Sequence, residues 1–303
     1  MIFKTLREGR APAYLSTMIK NYLEKWRVPG FRNPKPVVAV LRLQGIIGTG
    51  GGPARRGLNA ATLIRSIERA FSQSNLKAVA LQINSPGGSP AQSSLIFKRI
   101  RAMAVEKEVP VVAFAEDVAA SGGYMLACAA DEIYADESSV IGSIGVISAG
   151  FGFVDLMEKA GVERRVHTAG KSKSMLDPFQ KEKPQDVKQL QSLQRDIYEM
   201  FTELVKSRRG EKLKGGDDKL FTGEFWTGKR ALEFGLIDGI GELTSVMQER
   251  YGDNVVFRPI AERKSWLTEW LGVRAVPQLD ANGWARDLVA AAEERAIWTR
   301  YGL

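Results

Sequence analysis

The residues of this chain with the most chemical potential stand in two glycine-rich segments. One is Pro86-Gly87-Gly88 in NSPGG, and the other is Ala120-Ser121-Gly122-Gly123 in EDVAASGGYMLACAAD (116–131). A serine is a nucleophile only when a neighbour takes its proton. Glycines, lacking Cβ, let a substrate carbonyl approach the backbone closely. The N–H groups of Gly88 and Gly122, aimed at one oxygen, would form an oxyanion hole beside Ser121. The competing reading is that these glycines serve only close helix–strand packing.

The serine needs a base. His167, in RRVHT, is the chain's single histidine. Flanked by bulky residues in an expected strand, it reads as structural, although a triad through it stays open. Lysine is the other option, and it acts as a base near neutral pH only when burial lowers its pKa. GKSKSMLDP (170–178) offers Lys171 and Lys173, and Ser143 in IGSIGV offers a hydroxyl to hold an ammonium. The residues alone do not choose between the two lysines, and a lysine in a polar loop is ordinarily a solvated surface charge.

The elements that must position these groups alternate between strand and helix patterns. VVAVLRL (37–43), KAVALQI (77–83), PVVAFAE (110–116), EIYA (132–135), IGVISAG (144–150) and ERRVHT (163–168) read as strands. Residues 59–74, 89–107, 154–161, 183–209 and 284–298 read as helices, and so does a short stretch within 226–241 closed by glycine turns. Ser89 and Pro90 open the second of these. Ser121 is expected five residues past its strand, at the start of another helix. Such alternation predicts an α/β fold with a largely parallel sheet, whose sites lie where strands end and helices begin. The glycine-rich 47–57 lacks the GK[ST] ending of a phosphate loop and reads as a flexible loop.

Composition narrows the function classes. With one cysteine and one histidine, an internal disulfide is impossible and a Cys/His zinc site is close to excluded. Cys128, in MLACAAD, reads as a small core residue. The net charge is +8, and residues 1–36 hold eight basic against two acidic side chains, so most of the excess lies there. The balanced remainder argues against nucleic-acid binding. The first residues lack a signal peptide's apolar segment, and no stretch reaches the ~18 apolar residues of a membrane span. The expected location is cytoplasmic or peripheral to a membrane. Residues 12–27 form a basic amphipathic pattern that packs on its own domain or a neighbouring subunit, or else lies in a membrane interface. Packing is the favoured reading.

NSPGG, VAASGGYMLACAADEIYA, GSIGV, GKSKSMLDP and FTGEFWTGKRALEFGLIDGIG occur in this order. Together they resemble the signal peptide peptidase A family and its SohB-type relatives, over roughly residues 37–250. The resemblance implies a Clp protease/crotonase-like spiral of ββα units. Around it, residues 1–36 form a basic N-terminal arm and 251–303 a helical C-terminal extension. It implies a Ser–Lys dyad of Ser121 and Lys173, with Ser143 orienting the lysine and Gly88 and Gly122 as the oxyanion donors. Placing the family's lysine three residues after Gly170 and five before Pro178 is what selects Lys173. The implied protein is a serine endopeptidase that needs no cofactor or metal and cleaves extended apolar peptides such as released signal peptides. Its subunits form a ring in which the serine and lysine of one site come from neighbouring copies. The family's usual membrane anchor is missing, and residues 12–27 are a candidate substitute. Two rival functions remain: a crotonase-like acyl-CoA enzyme and a non-catalytic scaffold at a membrane face.

Overall fold

Three long strands are buried on both faces and read as near-continuous apolar runs, the pattern of a parallel sheet covered by helices. They are β1 (Val37–Gln44), β2 (Leu76–Ser85) and β3 (Val111–Ala120), and β1–β2 and β2–β3 pair in parallel. The structure, a computed structural model, describes residues 34–48, 57–170, 172–260 and 295–303. The expected helix at 12–27, most of the glycine-rich loop, Lys171 and the first part of the expected helix 284–298 lie outside these residues.

The remaining strands are β4 (Glu132–Ala135), β5 (Val140–Gly142), β6 (Phe225–Thr227), β7 (Gly239–Ile240) and β8 (Val256–Pro259). The sheet runs β6-β5-β3-β2-β1-β8, with β4 pairing β3 and β7. Among the described residues, only the β5–β6 pair is antiparallel. β3 divides its edge: Val112–Ala115 pair with β4, whereas Val118–Ala120 pair with β5. This is the α/β class with a largely parallel sheet expected from the sequence. β8 pairs with β1, so the sheet takes in a strand past the expected boundary at 250.

The helices described alongside the sheet are α1 (Ala60–Phe71), α2 (Pro90–Lys107), α3 (Gly122–Ala127), α4 (Val154–Lys159), α5 (Pro184–Arg209), α6 (Asp217–Leu220), α7 (Gly228–Glu233) and α8 (Leu243–Tyr251). Asn59 caps α1 by accepting the Thr62 N–H at 3.0 Å. Pro90 is the first residue of α2, where a missing N–H costs nothing. The main core lies between the sheet and α1, α2, α3 and α5, around Leu41, Leu81, Ile96, Ile100 and Leu126. A smaller one, around Val38, Phe114 and Met247, lies under α8.

Two expected strands are absent. Residues 144–150 and 163–168 are irregular, and all of 163–168 is exposed. Their β-branched residues satisfy the pattern, but neither segment pairs with a neighbouring strand among the described residues, and pairing is what makes a strand. The strand near the first of them is β5, ending at Gly142.

Candidate active site

Ser121 follows β3 directly, because that strand continues through Ala120 rather than stopping at Glu116. The serine sits between strand and helix at φ 52°, ψ −123°. This sharp turn lies in a region non-glycine residues seldom occupy, and it is characteristic of an exposed nucleophile. Neighbouring backbone holds it there. Its N–H donates to Gly142 O at 2.8 Å, and its carbonyl accepts the Met125 N–H at 3.0 Å, which starts α3.

The two glycine turns press against each other. A Cβ on Gly87 would lie 2.8 Å from both the Gly122 nitrogen and the Ser121 Cβ. A Cβ on Gly88 would stand 2.1 Å from Ile47 O, and its φ is +142°. The Ile47 N–H donates to Gly87 O at 2.8 Å, and the Ser89 N–H donates to Ile47 O at 2.7 Å. Residue 47 therefore clamps the loop so closely that only glycine fits. On the other side, a Cβ on Gly122 would fall 2.4 Å from Ser93 Oγ. The structure thus brings Gly88, Ser121 and Gly122 together.

Ser143 joins them through the sheet. Ala120 pairs with Gly142, so the residues that follow, Ser121 and Ser143, leave the ladder side by side. Ser143 is buried at 5% exposure and also adopts φ 52°. Its N–H donates to Glu224 O at 2.6 Å. Gly88, Ser121, Gly122 and Ser143 line one cleft of about 340 Å³, whose apolar walls include Met125, Ile147, Ile197 and Phe201.

The helix carrying the serine is tied to the core. Tyr124 is fully buried and donates its hydroxyl to Leu236 O at 2.7 Å. Burial pushes its phenol well above the ordinary value. Burial likewise pushes the Cys128 thiol up to about 12, in keeping with its expected role as a core residue.

Lys173 is not a lining residue of this cleft. It is exposed, in a turn where its N–H donates to Gly170 O at 3.2 Å. Around that turn the arm between β5 and α5 folds on itself. The Phe153 N–H donates to Pro178 O at 2.7 Å, and the Phe153 and Phe179 rings stack at 5.5 Å. Arg164 bonds Asp177 and lies 4.7 Å over Phe179. Hydrogen bonds from Arg164 and from the Phe179 N–H hold the Asp177 carboxyl below its usual value. The arm also exposes large apolar side chains: Ile147 at 70%, Phe151 at 76%, Leu156 at 62% and Val162 at 58%. His167 is exposed in the irregular 163–168 segment and does not line the cleft, so the strand expected around it is not what the structure shows.

Some lining residues are not ones the sequence singles out. Thr222 and Gly223 border the cleft just before β6, and Ile197 and Phe201 wall it from α5. The signals are present in the glycine of FTGEFW and in the apolar stripe of the long helix. Arg300 also lines the cleft. Next to it, the Tyr301 hydroxyl lies 3.3 Å from Ser143 Oγ.

Comparison with known proteins adds the following. The model of Peptidase family S49 matches residues 103–254. The chain is 48% identical over 279 residues to a protein named Na(+)/H(+) antiporter NhaA from Brucella abortus (strain 2308), covering 90% of this chain and 38% of that protein. It is 32% identical over 229 residues to Serine protease SPPA, chloroplastic, of Arabidopsis thaliana, covering 73% and 33% respectively. Protease 4 of Haemophilus influenzae is 30% identical over 238 residues, covering 77% and 36%. The chain thus spans about a third of the length of these relatives. Among solved structures, a point mutant of the 1510-N membrane-bound stomatin-specific protease is 18% identical with a TM-score of 0.47, over 76% of this chain and 100% of that one. Among the described residues, no helix is long and apolar enough to cross a membrane.

Proposed function

This chain belongs to peptidase family S49, and on that premise we propose that it is a serine endopeptidase working through a Ser121–Lys173 dyad shared between subunits. The observation that carries the reading is Ser121 held at a strained turn, with Gly88 and Gly122 packed beside it and Ser143 alongside in one cleft. Ser121 Oγ attacks the peptide carbonyl carbon as the Lys173 amine takes its proton. The N–H groups of Gly88 and Gly122 hold the tetrahedral oxyanion. Collapse breaks the C–N bond, and the Lys173 ammonium returns its proton to the leaving amine. Water, deprotonated by the same amine, then releases the acyl group from Ser121.

The lysine comes from a neighbouring copy in a ring. In support, Lys173 rides on an arm that exposes Ile147, Phe151, Leu156 and Val162, a surface typical of an interaction site. Docking would take the ammonium out of water and lower its pKa, as a general base at neutral pH requires. In this reading Ser143, in the same cleft as Ser121, receives it. The apolar walls around Met125, Ile197 and Phe201 suit extended apolar peptides such as released signal peptides.

The test is turnover of a fluorogenic apolar peptide by the wild type and by Ser121→Ala, Lys173→Ala and His167→Ala. The first two substitutions are expected to lower kcat by roughly 10⁴-fold or more, and the third to leave it unchanged. Mixing Ser121→Ala with Lys173→Ala subunits restores part of the activity if sites are shared. Retained activity in Lys173→Ala refutes the dyad, and failure of mixed subunits to recover any refutes sharing.

A further inference from the structure

The segment 295–303, RAIWTRYGL, ends a helix in a defined way. The Leu303 N–H donates to Trp298 O at 3.3 Å, and the Gly302 N–H donates to Thr299 O at 3.1 Å. Gly302 is left-handed at φ +79°. This pair of bonds around a left-handed glycine is the Schellman stop. It leaves Tyr301 as the last residue before the reversal, next to Arg300, which lines the cleft. The Tyr301 hydroxyl lies 3.3 Å from Ser143 Oγ and 3.5 Å from Pro86 O. Its ring meets Phe225 edge-on at 5.0 Å. Arg300 lines the cleft with Ser121, Gly88 and Gly122.

These contacts engage the groups that the reaction needs. Ser143 is the hydroxyl assigned to orient Lys173, and Tyr301 already bonds it. Arg300, as a positively charged residue lining the same cleft, disfavours the arrival of a second cation. Pro86 belongs to the glycine turn that carries Gly88, so the segment touches both that turn and Ser143.

We propose that residues 295–303 are a built-in gate on the cleft, an intramolecular occupant that a peptide substrate and the neighbour's Lys173 must displace. This builds on the peptidase reading. Because the segment is tethered to the chain, a weak contact is enough to occupy the cleft for much of the time.

The test compares the full chain with a chain lacking 295–303 and with Tyr301→Phe. An occupant competing with substrate raises the apparent KM and leaves kcat alone. Deletion is expected to lower KM severalfold at constant kcat. Tyr301→Phe should lower it by up to about fivefold, the worth of one hydrogen bond. A second measurement needs no catalysis: fluorescein-labelled RAIWTRYGL is titrated by anisotropy into Ser121→Ala chains with and without 295–303. Saturable binding to the deleted chain, and much weaker binding to the complete one, supports the gate even if no variant hydrolyses peptide, in which case the peptidase reading alone falls. An unchanged KM after deletion overturns the gate while leaving the peptidase intact. So does a lower kcat with a displaced pH profile, which would make Tyr301 a positioning residue. Equal binding of the labelled peptide to both chains, or to neither, also overturns it.

Discussion

Replacing Asp238 with alanine should strike the fold at the point where the long helix α5 is locked to the sheet. The Arg209 side chain is only 3% exposed, and Asp238 is 15% exposed. Arg209 Nη1 and Nη2 donate to the carboxylate at 2.6 and 3.2 Å, and Lys212 Nζ donates at 2.8 Å. The Ile133 N–H, at the start of β4, donates to the same carboxylate at 2.8 Å. Removing Asp238 leaves a buried guanidinium with, among the described residues, only Gly235 O to accept from it, and it orphans the Ile133 N–H. Breaking a buried ion pair from one side costs about 3–5 kcal/mol. That is a large part of the roughly 5–15 kcal/mol by which a domain is ordinarily stable. Urea unfolding followed by circular dichroism reads the loss as a lower midpoint. Asp238→Asn keeps an acceptor for Ile133 and should fall between alanine and wild type. The carboxyl also predicts a pH dependence. Burial alone would raise its pKa, but bonds from Arg209, Lys212 and the Ile133 N–H hold it below the ordinary value. A carboxylate with a depressed folded-state pKa contributes fully above the unfolded value of about 3.9 and loses its contribution as pH falls through the lower one. The gap between wild type and Asp238→Ala should therefore be constant from neutral pH to about 4 and narrow below it. A loss under about 1 kcal/mol at neutral pH, well short of the cost of an unpaired buried charge, would refute the lock.

Two further outcomes test the frame of the site. Gly123→Ala would place a Cβ 2.3 Å from Ser85 O. Overpacking against backbone costs about 1–3 kcal/mol, so the melting midpoint should fall and peptidase activity should fall with it; an unchanged midpoint would mean that α3 is loosely seated. The Cys128 thiol, fully buried and pushed up to about 12, should resist a thiol-specific disulfide reagent in the native protein under mildly alkaline conditions and react on unfolding. Prompt native reaction would show that this part of the core opens.

What is legible in the sequence is what local chemistry decides. Gly88, Ser121, Gly122 and Ser143 stand at turns that follow strands, and turn chemistry is written in the nearby residues. The α/β class with a largely parallel sheet is equally plain, because strands covered on both faces must be apolar throughout. Pairing is less plain. Residues 144–150 and 163–168 carry strand-like composition, yet a ladder depends on a partner that composition does not name. The end of β3 is hard to place because Glu116 and Asp117 look like a boundary. In the sheet, Glu116 instead bonds Arg42 and Gln82, and Asp117 accepts from Asn84. Lys173 is selected by motif, and in the structure it is exposed and does not line the cleft. Tyr301 leaves no signal, since its partner Ser143 is 158 residues away.

The turn at Ser121 also decides which side chains this scaffold can accept there. At φ 52° an unbranched side chain is tolerated at some cost, but a β-branched one is a severe outlier. Cysteine, with the same single γ-position atom as serine, fits the backbone and would exchange an oxygen for a sulfur. Threonine carries the same hydroxyl, yet its extra methyl falls where the left-handed backbone has no room. The chemical repertoire at this position is therefore set by the dihedral angles of one residue, before any substrate or base is considered.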